Sequence, residues 1–172
     1  MIETERLVLR LPERDDYLLL RDLLADPAVH RFLGPQPEDL TTEMFSRALR
    51  AAGSWQFYGY GVFVVCEKAS GAFVGQLGMF HSLRGFGKGM DHTAEAAWMI
   101  AREHWGSGYA EEGMRAALDW FDKTQGQDRI ACMIEPENAA SVRLAQKLGF
   151  VRYAEHLLDD GATVDLFERV KP

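Results

Sequence analysis

Apolar and polar residues alternate through Arg6-Leu7-Val8-Leu9-Arg10, the period of a half-buried strand. Pro12 ends it. From Asp15-Asp16 the spacing becomes that of an amphipathic helix through Leu18, Leu19, Leu20, Leu23 and Leu24, stopped by Asp26-Pro27. A turn-rich joint at 32–37 leads to a second helix, capped by Thr41 or Thr42 and reaching about Ala51. Residues 60–67 and 73–80 read as strands of a hairpin around Ala69-Ser70-Gly71. A glycine-rich loop at 83–92 precedes a strand at 94–101 and a helix from Gly108 to about Lys123. A strand at 129–134 and a helix at 139–148 follow, and strands at 150–157 and 163–169 close the chain around Asp159-Asp160-Gly161. The order β-α-α-β-β-β-α-β-α-β-β predicts an α/β (α+β) fold, a mixed and mainly antiparallel sheet flanked by helices.

Composition changes this picture little. The 172 residues, 47% hydrophobic and 26% charged, suit one globular domain over 1–172. Glu3, Glu5, Arg6 and Arg10 leave no apolar leader in the first ten residues, and no apolar run approaches membrane-spanning length. A cytoplasmic protein with no membrane partner is expected. The net charge of −7 speaks against nucleic acid as a partner. Cys66 and Cys132 lack Cys-x-x-Cys spacing, so neither a metal site nor a disulfide framework is expected. Both read as small core residues, with Cys132 a lesser candidate for facing a cofactor.

The chemistry concentrates at Trp105-Gly106-Ser107-Gly108-Tyr109-Ala110. A strand that feeds a glycine turn into a helix N-terminus aligns unpaired amides with the positive end of the helix dipole, a site for phosphate. Glycine lets a pyrophosphate approach the backbone closely. No lysine follows the glycines, which excludes a P-loop, and Glu111 stands where a Rossmann turn needs its third glycine. Gly85-Phe86-Gly87-Lys88-Gly89 precedes a strand instead of a helix, so it reads as a mobile loop near an acceptor site.

The spacing x-x-x-Gly108-x-Ala110 resembles the coenzyme A signature of the GNAT acetyltransferases. A second segment, from Asn138-Ala139-Ala140-Ser141 to Lys147-Leu148-Gly149-Phe150, resembles that superfamily's Asn-x-x-Ser…Lys-Leu-Gly-Phe element. The N-terminus, Ile2 to Arg10, and His104-Trp105-Gly106-Ser107-Gly108-Tyr109-Ala110 are similar to the ribosomal-protein N-terminal acetyltransferase branch. The resemblance implies the GNAT fold and acetyl-CoA as co-substrate, without metal. Gly106, Ser107, Gly108, Tyr109 and Ala110 would hold the pyrophosphate. Trp98, Met99 and Ile100 would pair their main chain with the pantetheine arm like an added strand, with an amide near Met99 polarising the thioester carbonyl. Asn138 would bind pantetheine while capping its helix, and Ser141 would lie near the sulfur.

Two departures stand out. Trp105 occupies a position usually held by Gln or Arg; it is expected to pack, leaving Arg102, His104 or Lys147 to supply positive charge. Ala145 stands where many members carry a tyrosine acid, so Ser141 is the remaining donor to sulfur. Glu95 leads as the base that takes the amine proton, followed by Glu155 and then His81 and His92. Trp55, Phe57, Tyr58 and Phe32 are candidates to line an acceptor pocket. The expected function is direct acetyl transfer to a primary amine, on a protein N-terminus or a small molecule, by a monomer or homodimer. A non-catalytic coenzyme A sensor and a transferase of longer acyl groups are the alternatives.

Overall fold

The computed structural model describes residues 1–171. Strands β1 (Ile2–Glu3) and β2 (Leu7–Arg10) open the chain, followed by helices α1 (Asp16–Ala25), α2 (Pro27–His30) and α3 (Leu40–Tyr58). Next come β3 (Val62–Glu67), β4 (Phe73–Ser82) and β5 (Thr93–Ile100), a short 3-10 turn (Arg102–His104), and α4 (Tyr109–Thr124). The chain closes through β6 (Arg129–Ile134), α5 (Ala139–Lys147), β7 (Val151–Leu157) and β8 (Thr163–Val170). The eight strands form one sheet in the order β1-β2-β3-β4-β5-β6-β8-β7. Every pair is antiparallel except β5 with β6.

The expected α/β architecture holds, with local differences. Asp26-Pro27 does not simply stop α1. The Asp26 side chain accepts the Ala28 amide at 2.8 Å and Pro27 fits the first helical position, so the turn α2 forms. α3 starts earlier and ends later than its sequence pattern predicts. Its cap is Asp39, whose Oδ1 accepts the Thr41 and Thr42 amides at 2.9 and 3.2 Å. Gly53 does not end it, because the turn beyond buries Ser54 and packs Trp55 between Phe63 and Trp120. Gly59, left-handed at φ +74°, ends it, its amide bonding to the Trp55 carbonyl.

Helices cover both faces of the sheet. On one face α4 and α5 bury Met114, Ala117, Phe121 and Ala145 against Leu7, Leu77, Ala96 and Phe167. On the other, α1 and α3 pack Leu20, Leu23, Leu24 and Met44 with Phe73 and Met99. Gly113 of α4 lies tight against the sheet: an added Cβ would be 2.6 Å from Leu77 Cδ2 and 3.6 Å from Leu7 Cδ1. Leu77 is fully buried and has little room to give way. Gly113→Val is therefore expected to lift α4 off the sheet and destabilise the fold by roughly 1–3 kcal/mol. Thermal melts measure it; an unchanged Tm would mean the core relaxes freely there.

Candidate active site

The 3-10 turn separates β5 from the glycine turn, so the strand does not run straight into it as the sequence pattern implies. Gly106 and Gly108 are both left-handed, at φ +76° and +79°. Gly108 caps α4 without any side-chain bond, so the first-turn amides keep no side-chain acceptor. A Cβ on Gly106 would meet nothing within 4 Å, so the turn opens outward. The dipole of a 16-residue helix aims positive charge at that opening. Backbone amides, open space and helix dipole together fit a pyrophosphate.

A cation beside this turn comes from the other end of the chain. The Arg6 guanidinium bonds to the Ser107 carbonyl at 2.9 Å, lies 4.6 Å from the Tyr109 ring centre, and would be 3.5 Å from a Cβ added at Gly108. Glu112, in the first turn of α4, holds it there. Its Oε2 accepts Arg6 Nε at 2.7 Å, and its Oε1 accepts the Arg6 amide at 2.9 Å and the Thr4 hydroxyl at 2.6 Å. Arg6 lies 101 residues from Ser107, and no local pattern signals the contact. Lys147, one of the expected cations, is paired with Glu111 at 2.9 Å. Trp105 does not pack: it is half exposed, and its indole N–H bonds to the Ile100 carbonyl at 2.8 Å, because the 3-10 turn folds it back over the strand end.

β5 and β6 pair only at Ala94–Ile130 and Glu95–Ala131; beyond those residues they part. The Ala101 amide bonds to the Val74 carbonyl, and antiparallel alternation then turns the main chains of Ala97 and Met99 towards β4. The Glu95–Ala131 bridge takes the Ala96 amide, so the amides left facing the gap are those of Trp98 and Ile100, and the group that meets a thioester carbonyl there belongs to Trp98. Across the gap, Asn138 caps α5, its Oδ1 accepting the Ser141 amide at 3.2 Å. The Ser141 hydroxyl accepts the Trp98 indole N–H at 3.1 Å. Ala145 is fully buried in the core.

Glu95 points to the opposite face of the sheet from Trp98, since neighbours on a strand alternate. It is buried, and both its oxygens bond to the Arg84 guanidinium, Oε2 at 2.7 Å. Glu155 is exposed on β7 and paired with Arg152 at 3.1 Å. His81 accepts or donates at Nδ1 with the Tyr60 hydroxyl, 3.0 Å away, and stacks on Tyr58 at 3.7 Å. Burial, helped by the neighbouring His92, lowers its pKa. Burial pushes the Cys132 thiol well above its ordinary range, with Glu95 adding to the effect, so it stays protonated in the core.

The four aromatic candidates do not come together as a pocket. Trp55 belongs to the core, Tyr58 to the His81 stack, Phe57 is exposed, and Phe32 sits beside Arg31. The loop at 83–92 is tied down. Asp91 accepts the amides of Arg84, Gly85 and Gly87, Met90 is fully buried, and Tyr153 and Arg129 bond to the Lys88 and Gly89 carbonyls. Among the described residues no cluster of His, Cys, Asp and Glu is arranged to hold a metal ion, and no helix is long and apolar enough to cross a membrane.

A helix N-terminus behind a glycine turn, beside a strand pair that parts after two residues, is the arrangement the sequence motifs imply. The family model for the acetyltransferase (GNAT) domain matches residues 6–151. The chain belongs to the GNAT acetyltransferases. This GNAT chain is 31% identical to the Bacillus subtilis protein YkkB over 96% of its own length and 93% of that protein's. Among solved structures, a Bordetella pertussis chain described as a GnaT-family acetyltransferase is 33% identical, with a TM-score of 0.86 over 98% of each chain. The spermidine N-acetyltransferase of Vibrio cholerae, solved with CoA and spermine, shares the fold at 20% identity, with a TM-score of 0.75 over 98% of this chain and 97% of that one. The protein is therefore an acetyltransferase whose acyl donor is acetyl-CoA.

Glu112 gives the GNAT turn a pH signature. Burial raises its carboxyl pKa, but hydrogen bonds from Thr4 and Arg6 outweigh burial and hold it below the ordinary range. The unfolded value is about 4.3. The stabilisation is thus complete above that pH and is lost as pH falls through the folded pKa. Glu112→Gln is expected to cost about 1 kcal/mol at pH 7, Arg6 being partly exposed and screened. Melts across pH should show the gap to wild type closing below about pH 4; a gap constant with pH assigns the loss to packing.

Proposed function

We propose that this protein moves an acetyl group from acetyl-CoA directly to a primary amine in a ternary complex, through one domain spanning the chain. The observation that carries the reading is the parting of β5 and β6 beside the Gly106–Gly108 turn. The turn amides from Gly106 to Ala110 hold the pyrophosphate. Main-chain groups of Trp98 and Ile100 pair with the pantetheine arm, and Asn138 adds a side-chain contact. Met99, expected to join them, spends its own amide and carbonyl on β4 and makes no contact with the arm.

Acetyl-CoA supplies a thioester carbon open to attack; the residues supply placement and proton handling. The Trp98 amide, which faces the gap, polarises the carbonyl. The amine approaches from the Glu95 face and the sulfur leaves on the Ser141 face. As the N–C bond forms, the C–S bond breaks with its electron pair on sulfur. The amine proton passes to Glu95, and the Ser141 hydroxyl donates a hydrogen bond to the thiolate. Arg84 holds both Glu95 oxygens in the closed pair, so the acceptor amine, having given its first proton to solvent, displaces Arg84 from the carboxylate before transfer. The acceptor class is a protein N-terminus or a small amine, and the N-terminal pattern Ile2 to Arg10 supports the ribosomal-protein branch.

Thermal-shift titration with acetyl-CoA, CoA and NADH tests the site. Saturation at about 100 times Kd stabilises by about 2.7 kcal/mol. Both CoA ligands are expected to raise the Tm, NADH not to, and Gly108→Glu to abolish the rise whatever its own starting Tm. No rise at millimolar CoA would refute the site. An amine panel of spermine and N-terminal peptides, followed by thiol release, then identifies the acceptor. On that acceptor Glu95→Gln is expected to lower kcat by roughly 10²–10⁴-fold with little change in acetyl-CoA KM; wild-type kcat would remove Glu95 as the base.

A further inference from the structure

The Trp98 side chain has a place in this site separate from its main chain. It extends from β5 to α5, and its indole N–H ends on the Ser141 hydroxyl at 3.1 Å. The ring packs against the buried core, which fixes its direction. Ser141 is fixed from its own side by the Asn138 cap.

The consequence follows from counting donors and acceptors. A serine hydroxyl has one proton and two lone pairs, and an indole N–H can only donate. Serine inside a helix commonly spends its proton on the carbonyl one turn back. Ser141 does not: among the described residues, no protein group accepts its proton. The indole fills one lone pair and excludes orientations that would aim the O–H at the ring nitrogen. The proton is left for whatever lies in the gap.

Resting on the coenzyme site proposed above, we infer that Trp98 is a positioning residue, its indole N–H holding the Ser141 hydroxyl so that the serine's proton points at the coenzyme sulfur. A serine so held stabilises a thiolate by one hydrogen bond, taking the part a tyrosine cannot take at Ala145.

The test reads the sulfur directly and needs no acceptor. The thiol of CoA bound to the enzyme is titrated by its thiolate ultraviolet absorbance in wild type, Trp98→Phe, Ser141→Ala and the double variant. Phenylalanine keeps the ring in the core and removes only the N–H, and melts establish that each variant folds. Wild type is expected to hold the thiol pKa lowest. Each single change should raise it by about 0.5–1 unit, the worth of one hydrogen bond. The double variant should go no higher than Ser141→Ala, because the indole acts only through the serine.

Trp98→Phe titrating like wild type, or adding its full effect on top of Ser141→Ala, would overturn the inference. So would a Ser141→Ala thiol identical to wild type, which removes the group being positioned. A purely structural tie between β5 and α5 would lower the Tm of Trp98→Phe and leave the thiol where it was. If CoA raises the Tm of no variant, the coenzyme site itself is refuted, and the inference with it.

Discussion

The parallel pairing of β5 with β6, two residues long, is the constraint on which the rest of the site depends. Antiparallel neighbours can stay in register along their whole length, as β4 and β5 do over eight residues. A parallel neighbour must arrive by a crossover, and here that crossover is α4, entered through the glycine turn. The same connection therefore creates the parting strands and sets a helix N-terminus beside them. Main-chain groups that a longer ladder would have consumed are left facing the gap. On the proposed reading, phosphate, pantetheine and acyl carbonyl meet mainly backbone, which is why so few catalytic side chains stand out.

That reliance on backbone explains what was legible in the sequence. The glycine turn, the Asn138 cap and the element order are local patterns, and the structure carries them with shifts of a few residues. The boundaries that moved did so for tertiary reasons: α3 runs through Gly53 because Trp55 has the core to enter. The direction of each amide on β5 was not legible, since it depends on which residue opposes Val74. Nor was the Arg6 contact, which joins residues 101 apart in the chain. Trp105 departs from the family pattern visibly, but only the 3-10 turn shows where its indole goes.

The two faces of the sheet divide the chemistry. On the α4 and α5 side, Trp98 and Ser141 face each other across the gap; on the other side, Glu95 is locked to Arg84. A carboxylate buried without a partner would be costly, and Arg84 relieves that cost while no acceptor is present. On the proposed reading the acceptor amine reaches Glu95 only by displacing Arg84. The acidic character of the chain as a whole adds little to this local competition.

The loop at 83–92 is closed upon itself by Asp91 and moored to the body by Met90. Arg84 reaches from the same loop to Glu95, and the Lys88 and Gly89 carbonyls accept Tyr153 and Arg129, which leaves the side chains of the loop tip as its freest part. Lys88 and Phe86 reach β7 through the Glu155 carbonyl and the His156 ring, and Phe86 also packs on the cluster around Met90. Exchanging them redraws the rim on the acceptor side without moving the strand that carries Glu95. Divergence at this rim can then proceed as a change of customers with the machinery left alone.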